Sequence, residues 1–182
     1  RCDPPAPRGG NGLRARRGAA GERGRDPARR HPDAAEASGV SVRETAWLGS
    51  QEGPPRLAAL LRLRLRSGDE ADVIALFERG AVVDVIAPAE PLSGLQPSPG
   101  GTYFGVLSQG PSALLVFDRD GREVTIPEAP FVNAFDWSPD EAWMAVSTSM
   151  DVVVFLIEDR RPLIRTLGFV ARDLAWRDAF VS

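Results

Sequence analysis

The stretch "FDWSPDEAWMAVS", residues 135–147, sets the turn Ser138-Pro139-Asp140 between two apolar runs. Forty positions upstream the chain reads "LQPSPGGTYFGVLS", residues 95–108. Placing Leu95 over Phe135 brings Ser98 onto Ser138, Pro99 onto Pro139, Tyr103 onto Trp143 and Val106 onto Val146. Phe77 falls on Phe117 at the same offset, Trp137 on Trp176 at 39, and Phe131-Val132 on Phe169-Val170 at 38. Chance supplies one Ser-Pro match readily. It does not readily supply turns, aromatics and apolar runs in one phase, so the offset is the pitch of a repeated unit.

Outward from these two copies, the chain consists of short apolar runs divided by turn residues. Runs at 41–48, 57–66, 72–78 and 81–87 form a first set, and 92–96, 102–108, 112–118 and 122–127 a second. Runs at 131–137, 142–148, 151–158 and 162–167 form a third, and 169–176 opens a fourth. Val, Ile, Leu and Phe dominate them, and none carries a helical stripe of ten or more residues. That is strand-and-turn punctuation. Ser98-Pro99-Gly100-Gly101 and Ser138-Pro139-Asp140-Glu141 suit type I turns, because Ser bonds back to the backbone and Pro presets φ. Asp120-Gly121 and Arg79-Gly80 mark tight hairpins, where Gly accepts positive φ.

A period near 40 holding four short strands is the mark of a β-propeller blade. "FDWSPDEAWMAVS" and "LQPSPGGTYFGVLS" resemble the W-S-P-D-G-x-x-hydrophobic core of TolB-like and WD-repeat propellers. The resemblance implies an all-β fold of four-stranded antiparallel blades, as a partial or open propeller. The blades span about 41–87, 92–127 and 131–167, inside a propeller segment at 41–182. Two departures stand out: Gly100 replaces the Asp of the motif, and Glu141 replaces its Gly. The Trp-Asp dipeptide of WD repeats is absent. Three blades leave apolar faces open, so further blades from the same chain, another copy or a partner are expected.

Residues 1–40 differ in kind. Gly, Pro, Ala and Arg dominate, no aromatic is present, and nine Arg stand against five acids. So little apolar surface does not offset the cost of ordering, and a disordered arm or linker is expected. An Arg/Gly-rich arm can bind acidic surfaces or RNA, but no aromatic is interleaved for base stacking. Residues 41–182 hold thirteen Arg against twenty acids. No run reaches the roughly 18 apolar residues of a membrane helix. The compartment is not legible in this chain.

The inventory excludes several chemistries. All 22 basic residues are Arg, so neither a P-loop Lys nor a Schiff-base Lys exists here. His31 and Cys2 are the sole residues of their kinds and both lie in the arm. No His-based triad and no His/Cys metal centre can therefore be built within the chain. Asp118-Arg119-Asp120-Gly121 opens like a calcium loop but lacks the rest of the pattern, and reads as a hairpin. Asp136, Asp140, Glu141 and Asp151 are read as solvated loop acids, and the Trp residues at repeat-phased positions as packing between blades. No catalytic, cofactor or metal residue is expected.

Arg62, Arg64 and Arg66 alternate with Leu61, Leu63 and Leu65, which puts the three Arg on one strand face. That face is expected to be solvated or paired with Glu70, Asp72 or Glu78, with a basic binding strip as the alternative. The function expected is a non-catalytic module that binds a protein or peptide, or acts as a scaffold. The resemblance also allows the substrate-filtering propeller of a larger prolyl-oligopeptidase-like hydrolase. A nucleic-acid-associated scaffold using the arm is a further alternative.

Overall fold

The computed structural model describes residues 37–49, 53–88, 90–110, 113–126, 129, 131–157, 162–167 and 174–176, with the backbone alone for 162–167. Among them the chain is all-β. The first sheet contains β1 (Ala37–Leu48), β2 (Arg56–Leu65), β3 (Glu70–Glu78) and β4 (Ala81–Ile86). The second contains β5 (Leu92–Pro97), β6 (Tyr103–Ser108), β7 (Leu114–Asp118) and β8 (Glu123–Val124). The third contains β9 (Val132–Trp137), β10 (Trp143–Thr148), β11 (Asp151–Leu156) and β12 (Pro162–Leu167). Each sheet pairs its strands in chain order and antiparallel, and none closes into a barrel. These are the expected blades of an open propeller segment.

The repeat is carried by its turns, which superpose bond for bond. In blade two, Ser98 N donates to Tyr103 O at 2.9 Å and Gly101 N to Ser98 O at 2.9 Å. In blade three, Ser138 N donates to Trp143 O and Glu141 N to Ser138 O, both again at 2.9 Å. The hydroxyl of each Ser also accepts the amide five residues on, from Tyr103 at 3.0 Å and from Trp143 at 2.9 Å. Arg79 and Gly80 both have positive φ, as a two-residue hairpin between β3 and β4 requires. Asp118-Arg119-Asp120-Gly121 is a hairpin turn too: Gly121 N donates to Asp118 O, and the Asp118 side chain accepts the amides of Asp120 and Arg122.

Alternation gives every strand two faces, and the blades stack through them. Leu48, Leu60, Ile74 and Leu76 of blade one pack on Leu95, Phe104, Val106 and Phe117 of blade two. Leu114 and Val116 on the other face of blade two pack on Phe135, Trp137, Met144 and Phe155 of blade three. Tyr103 and Trp137 stack across that second junction, their centroids 6.1 Å apart and their planes within 8°. Gly105 is needed there: a Cβ would lie 2.6 Å from Cε2 of Phe135.

Three expectations need correction. The arm was expected to run to residue 40, but β1 begins at Ala37. Ser38 and Gly39, placed in the arm, belong to the strand: Gly39 pairs with Arg64 and the Ser38 hydroxyl donates to Arg64 O at 3.0 Å. Arg66 lies past the end of β2, in the turn to β3, so it does not extend the strand's row of Arg. Trp47 was expected between blades, as Trp137 is, but it is 69% exposed. It sits on the face of blade one that points away from blade two. Residues 1–36 and most of the expected fourth-blade strand lie outside the described residues; Leu174, Ala175 and Trp176 are described and hold no strand.

Candidate functional site: carboxylate clamps and a cleft at the blade junctions

Both ends of the stacked blades carry a carboxylate that reaches across a junction. At the turn end it is Glu141. Its Oε1 accepts the Gly100 amide at 2.8 Å and the Thr102 amide at 3.3 Å, and also the Ser98 hydroxyl. Its Oε2 accepts the Thr102 hydroxyl at 2.7 Å. Blade three thus holds the turn of blade two. In its own turn the same task is done locally: Asp140 Oδ1 accepts the Ser138 hydroxyl and the Ala142 amide. Residues 98 and 102 are the forty-residue counterparts of 138 and 142. Gly100 stands where Asp140 would supply the carboxylate, and Glu141 supplies it from the next blade. The two departures from the motif are therefore one compensating pair. Glu141 adopts φ 58° to do this, in the left-handed region that its counterpart Gly101 occupies at 75°.

At the opposite end Asp72 plays the corresponding part. Its carboxylate, buried on β3, accepts Arg62 Nε at 2.9 Å and Nη2 at 3.1 Å, with Arg43 Nη1 at 3.3 Å. It also accepts the Leu92 amide of blade two at 2.9 Å, while Arg43 donates to Leu92 O at 2.8 Å. Nearby Glu44 accepts the amides of Gly94 and Leu95 at 3.1 and 2.6 Å. β5 and β9 are linked in the same way: Gln96 Nε2 donates to Asp136 Oδ1 at 3.1 Å, and Trp176 N donates to Asp136 Oδ2 at 2.8 Å. The apolar faces are thus joined by charge-assisted bonds, several of them onto backbone amides, which are stronger than neutral ones.

A cleft of about 420 Å³ opens beside Asp72. Arg62, Glu70 and Asp72 form one wall, and Pro88, Glu90, Pro91 and Gln109 the other. One guanidinium faces three carboxylates there. That guanidinium is already engaged, with Glu70 at 3.4 Å and with Asp72. The acid-paired reading of Arg62 therefore describes it, through two of the three acids named from the sequence. The third, Glu78, pairs instead with Arg56 at 3.0 Å, and Arg56 also reaches Asp120 at 2.7 Å. Arg64 is exposed on the same strand, and Arg66 is exposed in the turn.

These environments shift protonation in a consistent sense. Burial pushes the Asp72 carboxyl up, but the hydrogen bonds from Arg62 and the Leu92 amide, with the Arg62 and Arg43 charges, outweigh it and leave it below its ordinary value. Burial likewise raises Glu141, and the bonds from Ser98, Thr102 and Gly100 more than reverse it. Asp140 is lowered by the Ser138 hydroxyl and then the Ala142 amide. A carboxyl depressed by folding stabilises the fold above its unfolded pKa, and that stability is lost as pH falls through the folded value. Stability is thus expected to be flat near neutrality and to drop as pH falls through about 4 and below. Far-UV circular dichroism between neutral and strongly acid pH checks this. A Glu141→Gln chain should lose less stability over the same range, and an equal loss in both chains would remove Glu141 from the account.

The sequence-derived turn residues Ser98, Pro99, Gly100, Ser138, Pro139 and Asp140 come together at the turn end, while Asp120 and Gly121 sit in the β7–β8 hairpin of blade two. Asp136 and Glu141 are engaged across junctions rather than solvated. The cleft residues Glu90 and Gln109 carried no sequence signal, since neither belongs to a motif. Among the described residues no helix is long and apolar enough to cross a membrane.

No family model matches the chain, and no curated protein matches it. Chains of solved structure do. One, described as "Crystal structure of the eukaryotic initiation factor", matches with a TM-score of 0.53 at 18% identity. The match covers 70% of this chain and 32% of that one, so the present chain spans about a third of that neighbour's length. At this identity the likeness concerns the fold.

Proposed function

We propose that the chain is a non-catalytic segment of a TolB-like or WD-repeat propeller that binds a protein or peptide partner at the Asp72 end of blades one and two. One observation carries this reading: three carboxylates and one guanidinium line the cleft, and with Arg43 on Asp72 behind it the acids still outnumber the guanidinium groups three to two. A cleft of that charge favours a basic side chain over an acidic or apolar one. Asp72 itself accepts the Leu92 amide of the neighbouring blade, which fixes the two sides of the cleft against each other.

Fluorescence anisotropy with a labelled Gly-Arg-Gly-Arg-Gly peptide tests it, with Gly-Glu-Gly-Glu-Gly as control. The Arg peptide is expected to bind saturably. Glu70→Gln with Glu90→Gln should weaken it by roughly threefold or more, as loss of rim charges does. Equal binding of both peptides, or an unchanged affinity in the variant, would overturn the assignment.

A further inference from the structure

We infer that Arg29 and Arg30, in the arm that precedes β1, occupy the cleft beside Asp72 and compete there with the basic partner. This rests on the cleft being a site for basic side chains. β1 begins at Ala37, which pairs with Leu65 at the end of the first sheet where the cleft opens. One strand further on, Arg64 pairs with Glu70, which lies in the cleft wall. The arm therefore joins the fold two strand spacings, about 10 Å, from Glu70. Arg43 shows that a guanidinium carried by β1 reaches this place. Its Nη1 lies 3.3 Å from Asp72 Oδ2 and donates to Leu92 O at 2.8 Å.

Length and charge both fit the arm to the cleft. Seven positions separate Arg30 from Ala37. A coil of that length spans about 15 Å on average, so the local concentration of Arg30 at the cleft is near its maximum. The order of charge matches as well. Outward from Ala37 the arm presents Glu36 and Asp33, and then Arg30 and Arg29. Past Leu65 the fold presents the exposed Arg66, and then Glu70 with Glu90 across the cleft. Acid thus meets Arg where the arm leaves the sheet, and Arg meets acid in the cleft. Glu90 is the acid left to be matched. It has neither an ion pair nor a hydrogen bond among the described residues, whereas Glu70 and Asp72 share Arg62. Its stem lies against Gly110, where a Cβ would come within 2.4 Å of Glu90 Cγ.

The chain has no Lys, so Arg30→Lys introduces its sole side-chain amine. The full-length variant is treated with a water-soluble carbodiimide and mapped by peptide mass spectrometry. An amide between position 30 and Glu70 or Glu90 of the same chain is expected, at a yield unchanged by about tenfold dilution. No coupling to either acid, or coupling only between chains, overturns the inference. In the anisotropy measurement, Arg29→Gln with Arg30→Gln should tighten binding of the Gly-Arg-Gly-Arg-Gly peptide about threefold, as for a cleft that the arm fills two-thirds of the time. An unchanged affinity overturns the inference and leaves the partner reading standing. The intrachain amide, with no peptide bound by the substituted chain, supports the arm in the cleft and removes the partner reading instead.

Discussion

Gly101→Ala is expected to destabilise the chain by about 4 kcal/mol, among the largest effects of a single methyl group. Two causes add. Gly101 has φ 75°, where an L side chain is strained. More important, a Cβ there would lie 1.9 Å from the Gly49 amide nitrogen and 2.7 Å from the Leu48 carbonyl carbon. Both are backbone atoms of blade one, so no side chain can turn aside. The turn of blade two must withdraw and open the first junction. Gly68→Ala is the control: φ is 92° there, but nothing lies within 4 Å of a new Cβ. It should cost about 1 kcal/mol, the conformational part alone. Urea unfolding followed by Trp fluorescence gives both values. Equal costs at 101 and 68 would mean that the turn of blade two does not press on β1.

The second large effect is a coupling. Glu141→Gly removes the carboxylate that satisfies two backbone amides and two hydroxyls of blade two. It also relieves a non-glycine φ of 58°. The loss outweighs the relief, and a net cost of about 2–3 kcal/mol is expected. Gly100→Asp alone should also destabilise, by roughly 1–2 kcal/mol. Its Cβ would meet Glu141 Oε2 at 2.7 Å, and a second carboxylate would crowd the first. Together the two changes rebuild in blade two the local arrangement that Asp140 makes in blade three. The double variant is expected within about 1 kcal/mol of the unaltered chain, so the two single costs must not add. A double variant as unstable as the sum of the singles would show that Glu141 does not stand in for the missing carboxylate of its neighbour.

Much of the fold was legible because its signals are local. Alternation, turn dipeptides and the Ser-Pro offset of 40 depend on residues a few positions apart, and strand ends came within a few residues. β10 was read at 142–148 and runs Trp143–Thr148. The bulge between Val42 and Glu44 left no such trace, since an extra residue in one strand changes no composition. The site was less legible, because it is made where blades meet. Gly100 and Glu141 were visible as departures from a motif, but 41 positions separate them, and their link exists only when the turns are stacked. Of the three acids named for the Arg face, Glu70 and Asp72 pair with Arg62, because both lie on the next strand of its own hairpin. The Leu92 amide that completes the Asp72 cluster belongs to another blade. Trp47 shows the limit of repeat phasing: it occupies a stacking face, as Trp137 does, but no described residue stacks on it.

The central claim is that four-stranded blades stack face to face with a pitch of forty residues. An NMR NOESY spectrum tests it most directly, through Gly105 and Phe135. The claim requires strong cross-peaks from the Gly105 α-protons to the Phe135 ring, with those protons shifted upfield by it, because no Cβ separates the two. If those cross-peaks are missing, and backbone contacts instead pair β6 with β9 as neighbours in one continuous sheet, the blades do not exist as described.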